Sequence, residues 1–160
     1  MQVFDASSMI YAWDNYPIEQ FPGLWEWIAS QIEENELMMS VVALEEVSHK
    51  LPECSRWLMG NNLHTFQVTS EILRLAMQIK GELGIVGDNY HPKGVGENDL
   101  LIVATACNQG AELVSDEEKQ TTLPQLPCKR KIPAVCVMPI VSVSCINFIG
   151  YIRASGAIFR

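Results

Sequence analysis

The sequence predicts an α/β fold in which the strands of an open, mostly parallel sheet alternate with helices. Short apolar segments of strand type are separated by longer segments with helical spacing, which is typical of such a sheet. The run DLLIVATAC at residues 99–107 is apolar on every side, which fits a helix covered all round. With 160 residues, of which 48% are hydrophobic, we expect one domain spanning residues 1–160.

Four short segments account for the predicted strands. The first stops at Asp5, and the second contains only Leu, Met, Ser and Val, which favours a buried strand. Valine and serine alternate at the start of the last segment, with the period of two that strands show. The predicted strands are residues 2–4, 37–42, 111–114 and about 141–146.

Longer segments predict helices because their apolar residues recur every three or four positions. In Pro22–Glu34, Trp25, Ile28 and Ile32 share one face, and Pro22 suits a first turn. Ser7 and Ser8 offer caps for a helix after Asp5. The other predicted helices are residues 43–51, a short segment around 57–58, residues 70–83, and the buried run that starts at residue 98.

Two segments are predicted to be loops. Residues 84–96 contain four glycines and one proline. Residues 121–133 form a long surface loop that ends in the basic cluster Lys129–Lys131, for which a solvated role is favoured over RNA contact. The next segment, 132–152, has no charged residue, but two prolines, an alternating stretch and Asn147 favour several short elements over a membrane span.

Composition excludes several classes of function. The net charge of -8 argues against wrapping nucleic acid by bulk charge. Five cysteines without a C-x-x-C pair and three scattered histidines argue against a zinc site and favour a reduced compartment. The amino terminus has no positively charged leader, so we expect no secretion and a cytoplasmic location.

Acidic residues follow the predicted strands, where open α/β sheets bind their ligands. Surface carboxylates are usually caps or solvated charges, and for Glu45, Asp116 or Glu117 alone that interpretation is favoured. Asp5 and Asp99 instead lie in strongly apolar segments, where an uncompensated charge is costly. The full set of candidate acids is Asp5, Glu45, Glu46, Asp99, Asp116 and Glu117.

Carboxylates that converge on one point raise each other's pKa, so a cluster of them calls for cations between them. Ligand sets made only of oxygen select hard ions such as Mg²⁺ or Mn²⁺. One or two such ions can orient and help deprotonate water and neutralise charge on a phosphoryl group. The pattern therefore predicts metal-dependent phosphodiester hydrolysis.

Four motifs resemble those of PIN-domain ribonucleases, the fold of VapC-type toxins. They occur in the same order as in that family and cover most of the chain, while KIPAVC at 131–136 and SCIN at 144–147 are similar to a less characterised bacterial PIN-like branch. The motifs are VFDASSMI at 3–10, SVVALEEV at 40–47, NDLLIVATA at 98–106 and ELVSDEE at 112–118.

The resemblance implies a three-layer α/β/α sandwich with a mostly parallel sheet of four or five strands, acting as an endoribonuclease with Mg²⁺ or Mn²⁺. In the family the helix glutamate follows the strand serine by six residues, which selects Glu46 over Glu45. The fourth acid is Glu117 by family spacing, with Asp116 left open one residue earlier. The implied site therefore contains catalytic and metal-binding Asp5, Glu46, Asp99 and Asp116 or Glu117, supported by the hydroxyls of Ser7 and Ser115.

As partners, the resemblance implies an RNA substrate and a protein antitoxin, and it allows a homodimer. The main alternative is a PIN-like module without activity that binds a protein or RNA, which the displaced fourth acid and the low basic content favour. A haloacid-dehalogenase-like phosphatase needs a second aspartate two residues after the first, and Ser7 occupies that position. A membrane-attached protein using residues 132–152 is the remaining alternative.

Overall fold

A computed structural model describes residues 1–160. Its centre is a sheet of five strands, all parallel, in the spatial order β3-β2-β1-β4-β5. The sequence prediction of a mostly parallel sheet of four or five strands is confirmed. The strands are β1 (Gln2–Phe4), β2 (Leu37–Ser40), β3 (Thr65–Phe66), β4 (Glu112–Val114) and β5 (Cys145–Ile146).

Eight α-helices surround the sheet. Because crossovers between parallel strands are right-handed as a rule, this strand order is expected to put the helices that connect β1, β2 and β3 on one face and those that connect β3, β4 and β5 on the other. The first group packs internally through α1 and α3, and the second through α5, α6 and α7. The helices are α1 (Ala6–Asn15), α2 (Pro22–Glu33), α3 (Val41–Lys50), α4 (Pro52–Gly60), α5 (Ser70–Glu82), α6 (Glu97–Gln109), α7 (Ile132–Cys136) and α8 (Phe148–Ser155).

Helix α6 lies at the centre of the molecule. Residues 100–106 are all buried, and the helix contacts α3, α5 and α7 as well as β1, β2 and β4. The prediction of a helix covered on every side is therefore confirmed. On the opposite face of the sheet, the Phe4 ring lies edge-on to Tyr151 of α8 at 4.9 Å. These contacts anchor both ends of the chain to the same core.

Residues 132–152 form separate short elements. Pro133 lies in the first turn of α7, and Asn147 caps α8, where its Oδ1 accepts a hydrogen bond from Gly150 N at 2.8 Å. The segment therefore folds as helix, strand and helix. No helix of the protein has the length and apolar character that crossing a bilayer requires.

Two predictions near the start of helices were wrong. The strand predicted at 37–42 ends at Ser40, because the Ser40 hydroxyl accepts from Val42 N and caps α3. Ser7 and Ser8 do not cap α1, which begins at Ala6, so both lie inside its first turn. Their hydroxyls are thereby free to contact other elements.

Three further boundaries differ from the sequence prediction. Strand β3 was missed because Thr65–Phe66 is too short to show a period. Only Cys145–Ile146 of the predicted strand 141–146 pairs with β4, since Ser142 adopts a φ of 47° in a turn. The predicted loop 121–133 contains a 3₁₀ turn at Pro127–Lys129 and ends in the first turn of α7.

Candidate functional site

The candidate site lies at the carboxyl edge of the sheet, where β1 and β4 end side by side. Phe4 is in register with Val114, and Asp5 N donates a 2.9 Å hydrogen bond to Val114 O. The residues that follow the two strands are therefore neighbours. This arrangement brings Asp5 against the segment 115–117.

Asp5 is buried and held in one orientation by two serines. Its Oδ2 accepts from Ser7 Oγ at 2.5 Å and from Ser115 Oγ at 3.0 Å. The two serine oxygens in turn accept from Asp116 N at 2.9 Å and Glu117 N at 3.2 Å. Because each hydroxyl carries one proton, both serine protons point at Oδ2, and Oδ1 takes part in none of these bonds.

Burial raises the pKa of Asp5, and the hydrogen bonds from Ser7 and Ser115 oppose that rise. Only 2% of the residue is exposed. A carboxylate in this position is stable only if a charge or a set of donors compensates it. The two hydroxyls supply part of that compensation.

Asp99 lies in the first turn of α6, and its Oδ2 accepts a 2.8 Å hydrogen bond from Gly96 N. Burial, together with the charges of Asp5, Glu117 and Glu46, raises the pKa of Asp99 to about 7, and the hydrogen bond from Gly96 opposes that rise. The amino-terminal end of α6 also favours a negative charge at this position. Asp99 thus lies within electrostatic reach of three other acids.

Glu46 and Glu117 complete this group. Glu46 is half-buried on α3 whereas its neighbour Glu45 is exposed, and Glu46 shares an open cleft of about 350 Å³ with Asp99. Burial raises the pKa of Glu117, and the charges of Asp5 and Glu46 add to that rise. We call Asp5, Glu46, Asp99 and Glu117 the acid cluster.

Asp116 is engaged elsewhere. Its Oδ1 accepts from Ser8 Oγ at 2.6 Å and from Phe148 N at 2.9 Å. These bonds tie the end of β4 to α1 and to the first turn of α8. Asp116 is thus held by α1 and α8, whereas the charges that raise the pKa of Glu117 come from Asp5 and Glu46.

The acid cluster offers only oxygen ligands, which suit Mg²⁺ or Mn²⁺ rather than zinc. No three His, Cys, Asp or Glu side chains are gathered tightly enough to form a closed ligand set on their own. Asp5 and Asp99 each have one oxygen held by donors, whereas Glu46 and Glu117 are partly exposed. A cation therefore fits this edge if the two longer glutamates turn toward it.

Two residues near the candidate site were not predicted from the sequence to take part in it. Ser8 was considered only as a cap, but it binds Asp116. Lys50 lies four residues after Glu46 on α3, and its charge lowers the pKa of Glu117. The spacing of four is the signal that could have placed Lys50 on the same helix face as Glu46.

The sheet order and the acidic edge define a PIN-like α/β protein. Similar structures are VapBC from Salmonella typhimurium bound to DNA, with a TM-score of 0.56 at 16% identity over 92% of this chain and 97% of that one. VapBC2 from Rickettsia felis, bound to a DNA fragment from its promoter, gives 0.54 at 17% identity over 91% and 97%. A toxin–antitoxin complex from Klebsiella pneumoniae gives 0.50 at 17% identity over 78% and 93%. The PIN-domain fold of VapC toxins is thereby confirmed.

The chain belongs to the family described as Domain of unknown function (DUF4411), whose model matches residues 2–159. No curated protein matches the sequence.

Proposed function

We propose that this protein is an endoribonuclease dependent on Mg²⁺ or Mn²⁺ and is the toxin of a toxin–antitoxin pair. The observation that carries the proposal is that Asp5 and Asp99 are buried at the carboxyl edge of the sheet, where the charges of Asp5 and Glu46 raise the pKa of both Asp99 and Glu117. Carboxylates gathered in this way need a cation to be fully ionised. We take residues 1–160 as one PIN-like domain that holds this site.

Within this proposal each acid has a defined task. Asp5 and Asp99 are held by hydrogen bonds and supply fixed ligand oxygens. Glu46 and Glu117, which are less buried, turn in to complete the ligand set. Bound Mg²⁺ or Mn²⁺ supplies charge neutralisation at the phosphoryl group and a lowered pKa for water.

The proposed reaction is hydrolysis of the phosphodiester bond. A water molecule attacks the phosphorus in line with the 3′ oxygen, a new P–O bond forms, and the P–O3′ bond breaks. The products are a 5′-phosphate and a 3′-hydroxyl, and the proton lost by the water is passed toward the leaving oxygen through solvent. Ser7 and Ser115 act as positioning residues because they touch Asp5 and not the reacting atoms.

For the fourth acid we propose Glu117 rather than Asp116. Asp116 Oδ1 accepts from Ser8 Oγ and Phe148 N, and these bonds join α1, β4 and α8. Glu117, in contrast, shares charge interactions with Asp5 and Glu46. Glu117→Gln is therefore expected to weaken Mn²⁺ binding, whereas Asp116→Asn is expected to act mainly on stability.

The similar structures support an antitoxin partner, and the RNA substrate rests on the proposed nuclease activity. The Klebsiella pneumoniae structure is described as a toxin–antitoxin complex. We propose an antitoxin protein as the partner of this chain, a homodimer as its assembled form, and cytoplasmic RNA as its substrate. A second candidate function is a PIN-like binding module without activity, which the lack of a closed ligand set favours.

The two candidates differ in metal binding and in turnover. We expect calorimetry to detect Mn²⁺ binding to the wild-type chain and a labelled RNA to be cleaved only when Mn²⁺ or Mg²⁺ is present. Glu46→Gln should reduce cleavage by at least about 100-fold, the scale on which single electrostatic contributions act. Its neighbour Glu45 is exposed on the same helix, so Glu45→Gln is the matched control and should cleave like wild type. Absence of both Mn²⁺ binding and cleavage would favour the binding module.

A further inference from the structure

The basic cluster Lys129–Lys131 is a built part of the structure. The Gln120 side chain clamps it, because Gln120 Nε2 donates to Lys129 O at 3.0 Å and Lys131 N donates to Gln120 Oε1 at 2.9 Å. Arg130 Nη1 donates to Ala134 O at 3.3 Å, and all three basic residues are half-buried. A loop that serves only for solubility does not need this support.

The same cluster is docked on the loop that leads to Asp99. Val95 N donates to Arg130 O at 3.0 Å. At Gly94 a Cβ atom would lie 1.9 Å from Cys128 O, so only glycine permits this approach of the two loops. Two residues after Gly94, Gly96 N binds Asp99. One loop therefore sets the position of both the basic cluster and an acid of the site.

Lys131 is the member of the cluster that faces the acids. Its Nζ lies 3.9 Å from Glu118 Oε2, at the outer limit of an ion pair, and the Glu118 side chain is 72% exposed. Such a pair contributes little free energy and is readily exchanged. Lys131 also lowers the pKa of Glu117, against the stronger effect of burial, which places its charge beside the acid cluster. Its ammonium group is thus available to another anion.

Lys50 lies on the other side of the acid cluster. It is exposed at the end of α3, one helical turn after Glu46. Helix α3 follows β2, whereas Lys131 precedes α7, which packs against β5. Because β2 and β5 lie on opposite sides of the central pair β1 and β4, the two lysines flank the acids that follow β1 and β4.

A polyanion faces repulsion from a chain with a net charge of -8. Cations within the acid cluster neutralise only the scissile phosphate, so the neighbouring phosphates need positive side chains. Lysine acts on phosphate as a flexible point charge. The net charge of -8 argues against a duplex bound by bulk charge, and two lysines suit a short stretch of single strand.

We propose that Lys131 and Lys50 bind backbone phosphates of a single-stranded RNA on either side of the scissile phosphate, and so set the path of the strand across the site. The proposal rests on the proposed nuclease function for the identity of the central phosphate. Both lysines are positioning residues. The Gln120 clamp and the Gly94 contact serve to hold Lys131 in place.

The test measures how salt weakens RNA binding. A fluorescent single-stranded oligoribonucleotide is titrated by anisotropy with the full-length wild-type chain at several salt concentrations, in Ca²⁺, which also takes oxygen ligands, in place of Mn²⁺. A gel run after each titration checks that the RNA is intact. Each phosphate contact contributes about 0.7 to the slope of log K against log salt for a single strand. We expect Lys131→Gln and Lys50→Gln each to reduce the slope by about that amount, and Lys131→Arg to restore it.

The matched control is Arg74→Gln, which removes an exposed positive charge from α5 and should leave the slope unchanged. Unchanged slopes in both lysine variants, or no RNA binding by the wild-type chain, would overturn the proposal. In the active chain, Lys131→Gln should raise KM several-fold with kcat nearly unchanged. If wild type cleaves RNA and both lysine variants show the wild-type slope and KM, the proposed RNA path is wrong and the proposed nuclease function stands. If RNA binding depends on the two lysines but wild type cleaves no RNA, the lysine contacts stand and the nuclease function is wrong.

Discussion

Ser115 Oγ donates a 3.0 Å hydrogen bond to Asp5 Oδ2, although the two residues are 110 positions apart in the sequence. The bond exists because β1 and β4 are adjacent and parallel, so that their carboxyl ends meet. The bond holds the Asp5 carboxyl in one orientation, and it opposes the rise in the pKa of Asp5 that burial causes. The adjacent ends of β1 and β4 therefore fix the position of Asp5 in the candidate site.

The first prediction concerns this bond. Ser115→Ala removes a donor from a buried carboxyl, and we expect it to lower the free energy of unfolding by about 1–3 kcal/mol. Urea denaturation measures the change. Ser48→Ala on α3 is the control, because Ser48 is exposed and should stay within about 0.5 kcal/mol of wild type. Equal stability of the two variants would contradict the role given to Ser115.

The second prediction concerns the pH dependence of stability. Burial, aided by the charges of the neighbouring acids, raises the pKa of Asp99 from 3.8 to about 7. Between these two pH values the folded protein binds a proton at Asp99 that the unfolded chain does not bind. The contribution of Asp99 to the free energy of unfolding therefore falls as pH rises from about 4. Above about pH 7 this stabilising contribution is lost. Asp99→Asn cannot ionise, yet its side-chain oxygen still accepts from Gly96 N.

We therefore expect Asp99→Asn to match wild type near pH 4 and to be more stable than wild type at pH 8. Urea denaturation at several pH values gives the difference between the two proteins. A difference that stays constant across this range would show that Asp99 titrates normally in the folded chain.

The third prediction concerns metal and stability. If the acid cluster holds Mn²⁺ in the folded chain only, the ion at 100 times its Kd should raise the free energy of unfolding by about 2.7 kcal/mol. The gain should grow from pH 5 to pH 8, because the ion must displace protons from Asp99 and Glu117. Thermal unfolding with and without Mn²⁺ measures it. A gain that survives in Asp99→Asn would place the ion elsewhere.

The fourth prediction concerns the contact between the two loops. Gly94→Ala forces a Cβ against Cys128 O, so the loops must separate, at a cost of about 1–3 kcal/mol. Gly81→Ala on α5 is the control, since a Cβ there meets nothing within 4 Å. That variant should be more stable than wild type by about 0.5–1 kcal/mol, because alanine is the better helix former.

Gly94→Ala should also shift the position of Lys131 through the Val95–Arg130 hydrogen bond. Chemical denaturation and hydrogen exchange of residues 93–99 and 126–132 follow both effects. Protection that is unchanged in both loops would show that they do not depend on each other.

Much of the fold could be predicted because the relevant patterns are local. Strand β1, helix α2 and the buried helix α6 follow from apolar spacing within a dozen residues, and all are present. Strand β3 could not be found, because two residues carry no period. The end of β2 could not be predicted because it depends on one hydrogen bond, from Val42 N to the Ser40 hydroxyl. That bond forms only in the backbone conformation that the folded chain adopts at this point.

By itself the sequence determined the α/β class, the parallel sheet and the set of acids that follow the strands, because periodicity and strand ends are properties of neighbouring residues. Only the tertiary structure separated Asp116, bound by Ser8 and Phe148 N, from Glu117, which shares charge with Asp5. It also revealed the clamp that Gln120 makes on the basic cluster. The physical reason is that burial, hydrogen-bond direction and charge coupling depend on atoms close in space, and these come from segments about a hundred residues apart.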